Sequence, residues 1–316
     1  MGSQRVFLSD GEAELEITPS LGAGIARYDF LGPKGREPLF RPAPEHTRDP
    51  FALGCNLLAP WSNRISNGGF FFEGRFHPLE PNLPGEPFPI HGNAFGLPWQ
   101  VQRLGRHSAC LSLDSEGPGP FLYRADVCYR LDEGALTVAL AITNKAATAL
   151  PYGLGLHPWF PRTPQTRLLA PAPLVWLEDV RHLPTRRVAV ELRPDWDFRS
   201  ERVLPKGWIN NGFEEWTCAA RIVWPERSLV LDVAADPPLS TCIIYSPGVA
   251  ADFLCVEPVS HLVNAHNMPA GPAANGLAIL RQGESLAATC RFAPHAVPQT
   301  PLCKPIPDRQ NSTHAW

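Results

Sequence analysis

Apolar and polar residues alternate in short runs along most of the chain. At 5–8, 13–18 and 21–30 the alternation has the period of two of half-buried strands, broken by a Pro-Ser turn, and predicts an opening meander. A polar, proline-studded connection follows at 33–50. Beyond a central stretch at 55–99, strands are predicted at 99–104, 109–114, 121–131 and 135–144, with Asp132-Glu133-Gly134 as a hairpin turn between the last two. Shorter runs at 174–176, 187–190, 219–224, 228–234, 241–246 and 252–256 continue the pattern. The runs at 276–280 and 285–292 predict a closing hairpin around 281–284. No helical period and no fixed-length repeat interrupts them.

Composition sharpens the class. The 36 prolines and 25 glycines disfavour helix interiors and punctuate strands, so the chain reads as all-β, a large β-sandwich or barrel. The 316 residues could hold two average domains or one large β-domain. The alternation argues for a single domain over 1–293, with a mobile or surface-wrapping tail over 294–316, where Pro, Gln and Asn replace it. Net charge is -3, with 28 Lys+Arg scattered among 31 Asp+Glu, which favours neither nucleic acid nor an anionic membrane. A neutral small molecule is the better partner. The charged N-terminus lacks the apolar core of a signal peptide, and no window approaches 18 apolar residues, so a soluble cytoplasmic protein is expected. The eight cysteines form no C-x-x-C pair and are expected as reduced, buried thiols. Asn311-Ser312-Thr313 matches a glycosylation sequon by coincidence in that setting.

Candidate chemistry lies where ionisable residues interrupt apolar surroundings. The stretch 55–99 places Asn63-Arg64 and His91-Gly92 among apolar residues and turn formers. His157 sits in Gly155-Leu156-His157-Pro158-Trp159-Phe160, and Glu257 follows Phe253-Leu254-Cys255-Val256. For either histidine the ordinary alternative is a core imidazole satisfied by hydrogen bonds. A carboxylate ending an apolar strand must be paired, protonated or held in a cleft. There is no Gly-rich phosphate loop, no G-x-S-x-G elbow and no His/Cys/Asp set at metal spacing; His261 and His266, five apart, suit neither one helix face nor one strand face. A carboxylate with two imidazoles suits proton transfer without metal or cofactor. Trp61, Trp99, Trp159, Phe160 and Trp208 offer flat apolar faces of the kind that pack on sugar C–H surfaces.

These residues carry a family resemblance. Asn63-Arg64-Ile65, Gly69-Phe70, Phe72-x-Gly74, Asn82, His91-Gly92 and Trp99 come first. Gly155 to Phe160, then Val256-Glu257-Pro258 with Asn264-Ala265-x-Asn267, then Gly276 and Leu280-x-x-Gly283-Glu284 follow in order. Together they resemble the aldose 1-epimerase (galactose mutarotase) family. The resemblance implies a β-supersandwich that interconverts the α and β anomers of a free aldose. By position, Glu257 is then the base at the anomeric hydroxyl, His157 the acid at the ring oxygen and His91 an assisting group, while Arg64 with Asn63 holds sugar hydroxyls. Arg64 as a structural ion-pair partner is the alternative for that residue. Two departures bear on the preference for galactose or glucose. Asn210 stands where many members have a sugar-binding aspartate, and Ile243, two residues before Tyr245, stands where galactose-type members have glutamine. Two other functions stay open: a sugar-binding module without turnover, and an epimerase of sugar phosphates. The second would need clustered Arg or Lys, and Arg64 stands nearly alone nearby in sequence.

Overall fold

The computed structural model describes residues 5–297. Its strands gather into one eleven-stranded and one nine-stranded sheet, with two small two-stranded pairs beside them. In spatial order the larger sheet runs Val6–Ser9, Ala13–Thr18, Gly24–Gly32, Cys55–Leu58, Gly155–Pro161, Phe253–Val259, Thr241–Ser246, Ile209–Glu214, Leu174–Glu178 and Pro184–Ala189, with Gly35–Pro38 beside Gly24–Gly32. The second sheet runs Arg202–Val203, Arg167–Leu169, Ala219–Trp224, Leu229–Ala235, Ser285–Ala296, Ala135–Asn144, Leu122–Asp132, Ser108–Glu116 and Gln100–Leu104. The helical turns among the described residues are short 3₁₀ pieces, and none is long and apolar enough to cross a membrane. The predicted all-β sandwich is the observed architecture.

Period-two alternation explains the layers. Along Leu122–Asp132, Tyr123, Ala125, Val127, Tyr129 and Leu131 are buried toward the opposing sheet. They join one core with Ile17, Leu156, Phe160, Leu254 and Val256. Fully burying a Val, Leu or Phe side chain contributes roughly 1.5–3 kcal/mol, and a one-residue slip would turn every such side chain outward, so burial sets the register. The central strands Gly155–Pro161 and Phe253–Val259 differ in being buried almost throughout. Their alternate residues Leu156, Phe160, Leu254 and Val256 enter the core. His157, Trp159, Cys255 and Glu257 therefore project from the opposite face.

Several expectations need correction. The run at 276–280 and the last strand are not a hairpin: Ala278–Leu280 pairs with Leu150–Tyr152, while Ser285–Ala296 lies between Ala135–Asn144 and Leu229–Ala235. The turn between them closes on Asn144, which accepts from the Gly283 N–H and donates its own N–H to the Glu284 carbonyl, so the chain is handed to a different sheet. That last strand passes the boundary expected at 293. The remaining tail from 298, with Cys303 and the Asn311 sequon, lies outside the described residues. The all-thiol expectation also fails for one pair. Cys110 and Cys128 stand opposite each other on neighbouring strands and form a disulfide, a juxtaposition set by strand register rather than by local spacing. Cys55, Cys242, Cys255 and Cys290 are free and buried; Cys218 is free and half-buried.

Candidate active site

The antiparallel register places His157 opposite Glu257, because Gly155 pairs with Val259 and Trp159 with Cys255. His157 Nε2 lies 3.4 Å from Glu257 Oε1, with both side chains buried. The second polar atom of each, His157 Nδ1 and Glu257 Oε2, is also buried and has no hydrogen-bond partner in the protein. Unpaired buried polar atoms are costly, so two of them at one point mark a place for a polar ligand. Burial pushes the Glu257 carboxyl well above its ordinary range, opposed by the charge of Arg64. Burial pushes His157 down to about 3, with Arg41 adding to the effect. Both shifts favour the uncharged forms, so the pair holds a single proton. Trp159 stacks on the His157 ring at 4.8 Å and 9°, and the Arg41 guanidinium sits 4.2 Å from the Trp159 ring, which fixes the imidazole's plane.

The loop carrying His91 closes over this pair. Asn82 donates to the carbonyls of Ile90 and Gly92 and accepts from the Ile90 N–H, each at 2.8 Å. Gly92 has φ +65°, and a Cβ there would meet the Ala59 carbonyl oxygen at 2.1 Å, so only glycine lets the loop pass this close. His91 itself is held at φ 60°. Its Nδ1 accepts from the Asn63 N–H at 3.0 Å, which leaves Nε2 as the donor of the neutral ring. Burial holds His91 well below the usual histidine range, with His157 and Arg64 adding to it. The His91 and His157 rings are 5.4 Å apart, and Phe51 packs against both.

Arg64 points its Nε and Nη2 at the Glu86 carboxylate, at 3.0 and 2.6 Å. The ion-pair alternative for Arg64 is thus realised, with Nη1 left toward the Asn63 side-chain oxygen at 3.4 Å. Asn63 spends its side chain on Arg64 and its backbone on His91. Asn264 and Asn267 bracket the same segment through Ser66 and Gly69, which ties it to the turn after the Glu257 strand. Farther across the sheet, Asn210 pairs with Tyr245 in register, and its side chain donates to Glu178 at 3.2 Å. The fold thus groups Glu257, His157, His91, Asn63 and Arg64 closely. Asn210 lies two strands from Glu257, or about 10 Å at the usual strand spacing.

Sequence reasoning passed over Glu86, Glu178, His182 and Arg41. Glu178 ends an apolar run much as Glu257 does, which is a usable signal; Glu86, in a proline-rich loop, carries none. His261 and His266 are buried core imidazoles: His261 Nε2 accepts from the Ser62 N–H, and His266 donates to the Pro151 carbonyl. Spacing along the chain offered no metal set, but among the described residues the sheet assembles one group. His157, Cys255 and Glu257 place ligand atoms within 4.8 Å of one another, because two neighbouring strands contribute them. Those three could hold a metal ion, although burial pushes the Cys255 thiol well above its ordinary range and keeps it protonated.

A two-sheet body of this topology, with a carboxylate and two imidazoles on its outer face, is a galactose mutarotase-like β-sandwich. A galactose mutarotase-like protein from Clostridium acetobutylicum matches with a TM-score of 0.79 at 16% identity, covering 92% of this chain and 95% of its own. A crystal structure from Escherichia coli K12, provisionally classed as an aldose 1-epimerase, matches with a TM-score of 0.87 at 30% identity, covering 94% of this chain and all of its own. The aldose 1-epimerase family model matches residues 4–293, and the chain belongs to that family. The uncharacterized protein YphB of Escherichia coli K12 is 35% identical over 284 residues, covering 88% of this chain and 94% of YphB.

Proposed function

We propose that the chain interconverts the α and β anomers of a free aldose by opening and reclosing its ring. The Glu257–His157 pair, 3.4 Å apart with an unpartnered buried atom on each side chain, carries this reading. Ring opening needs one group to take the anomeric hydroxyl proton and another to give a proton to the ring oxygen. Ionised Glu257 takes the first proton. The electron pair left on that oxygen forms the carbonyl, the bond from the anomeric carbon to the ring oxygen breaks, and protonated His157 supplies the ring oxygen. Glu257 is then a neutral acid and His157 a neutral imidazole, the protonation state that burial favours. After rotation about the adjacent carbon–carbon bond, each proton returns and the ring closes on the other face. The buried pair therefore matches the open-chain state, and the charged cyclic state draws on Arg64 and on the sugar's own hydroxyl donors. His91, with Nε2–H as its donor, is the assisting group at the ring oxygen or anomeric oxygen.

A neutral sugar suits this site better than a sugar phosphate, because Glu86 already neutralises the fork of Arg64. The test is NMR or polarimetric exchange on freshly dissolved α-glucose, α-galactose, L-arabinose and xylose. Accelerated equilibration of at least one supports the proposal. A sugar that binds while none is accelerated favours a binding protein.

A further inference from the structure

A second carboxylate is assembled on the same outer face, toward the sheet edge. Glu178 closes the strand Leu174–Glu178, and its carboxylate is approached from two segments, the stretch 208–210 and the turn that carries His182. Trp208 donates its indole N–H to Oε1 at 2.9 Å, Asn210 donates to Oε2 at 3.2 Å, and His182 Nδ1 lies 3.1 Å from Oε2. His182 is held at φ 61° in a turn whose Asp179 side chain accepts the N–H groups of Arg181 and Leu183, a strained setting for a residue with a Cβ. That turn lays its ring on Trp208 at 5.5 Å and 28°. Trp208 is nonetheless 45% exposed, so this indole presents an apolar surface rather than filling a core. Trp208 touches Tyr245, Tyr245 touches Trp159, and Trp159 stacks on His157, so an aromatic floor leads from Glu178 to the reacting pair. Glu178, Trp176, His182, Asn210, Gly212 and Val263 line one shallow cleft.

A carboxylate has two acceptor directions on each oxygen. With Trp208 on one oxygen and Asn210 on the other, and with His182 Nδ1 near Oε2 but not hydrogen-bonded to it, Glu178 keeps acceptor capacity on both while being held in one orientation. Two adjacent acceptors beside an exposed indole complement two neighbouring hydroxyls and the C–H face behind them. We propose that Glu178, fixed by Asn210 and Trp208, is a binding subsite for a vicinal pair of hydroxyls on the edge of the sugar remote from its anomeric carbon. Glu178 is then specificity-determining, and Trp208 is the platform for the sugar's apolar face. This rests on the anomer-exchange reading above.

The experiment compares wild type with Glu178→Gln, using the best aldose of the panel and a set of its deoxy analogues, with KM and kcat taken from NMR exchange and Kd from titration. Glu178→Gln is expected to raise KM about tenfold, the scale of one charge-assisted hydrogen bond, and to change kcat less than about threefold. That penalty should vanish for the deoxy analogue lacking the recognised hydroxyl. An unchanged KM, or an equal penalty for every analogue, overturns the subsite. Glu178→Ala should behave as Glu178→Gln does; if it unfolds, the glutamine variant alone decides. Should wild type accelerate no sugar, the anomer-exchange reading falls while Kd still judges the subsite: a tenfold weaker Kd upholds it, and an unchanged Kd or no binding of any panel sugar overturns it.

Discussion

Glu257 with His157 and Trp159, and Glu178 with His182 and Trp208, are the same three residue types on one face of one sheet. In both, an imidazole stacks on an indole and meets a carboxylate, at 3.4 Å in the first and 3.1 Å in the second. Surroundings separate them. The first pair is 7% and 3% exposed and its carboxylate oxygen Oε2 has no partner, whereas the second is 35% and 17% exposed and its carboxylate takes indole and amide donors, although His182 Nδ1 itself makes no hydrogen bond. Desolvation drives the first pair toward uncharged forms, while hydration and donors suit the second to holding hydroxyls.

The largest expected effect separates the two carboxylates. Glu257→Gln should lower kcat/KM by about 10²–10⁴, the usual range for a general base, against about tenfold for Glu178→Gln, and comparable losses would dissolve the distinction. The two indoles come next. Trp159→Ala removes a buried ring between His157 and Arg41 and should destabilise the fold by about 3–5 kcal/mol in denaturant unfolding. Trp208→Ala should stay within about 1 kcal/mol because that ring is half in solvent. Acid then probes the buried side. Burial holds His157 and His266 near 3 and His261 near 4, below an unfolded value of 6.5. A depressed folded pKa contributes stability that is present above 6.5 and lost as pH falls toward 4. Scanning calorimetry should therefore find Tm lower by roughly 10 °C at pH 5 than at pH 7, and a flat profile would mean these imidazoles are hydrated. The smallest effect concerns the loop: Glu86→Gln leaves Arg64 half-paired and should shift KM by about threefold, the scale of a partly exposed ion pair. A much larger shift would place Arg64 directly on the sugar.

The alternating strands around Leu122–Asp132 were legible because one face packs and the other is wet. The strands that carry the candidate site were not. Gly155–Pro161 contains two prolines and is covered on both faces, so alternation is absent and only its stranded histidine shows. His91, His157 and Glu257 stood out because ionisable groups inside apolar runs lack a packing reason. Glu178 gave a weaker version of that signal, and Glu86 gave none, since its partner Arg64 is fixed only once two loops meet. The Cys110–Cys128 bond was equally invisible, being a product of which residues two strands set side by side.

His157 and Glu257 face each other across two neighbouring strands of one hydrogen-bonded ladder, whereas Arg64, His91, His182 and Trp208 come from turns and loops. Loop sequences can therefore drift, lengthen or be exchanged while the spacing of that strand-borne pair stays constant. Such a division makes this scaffold a natural host for swapping specificity without rebuilding chemistry.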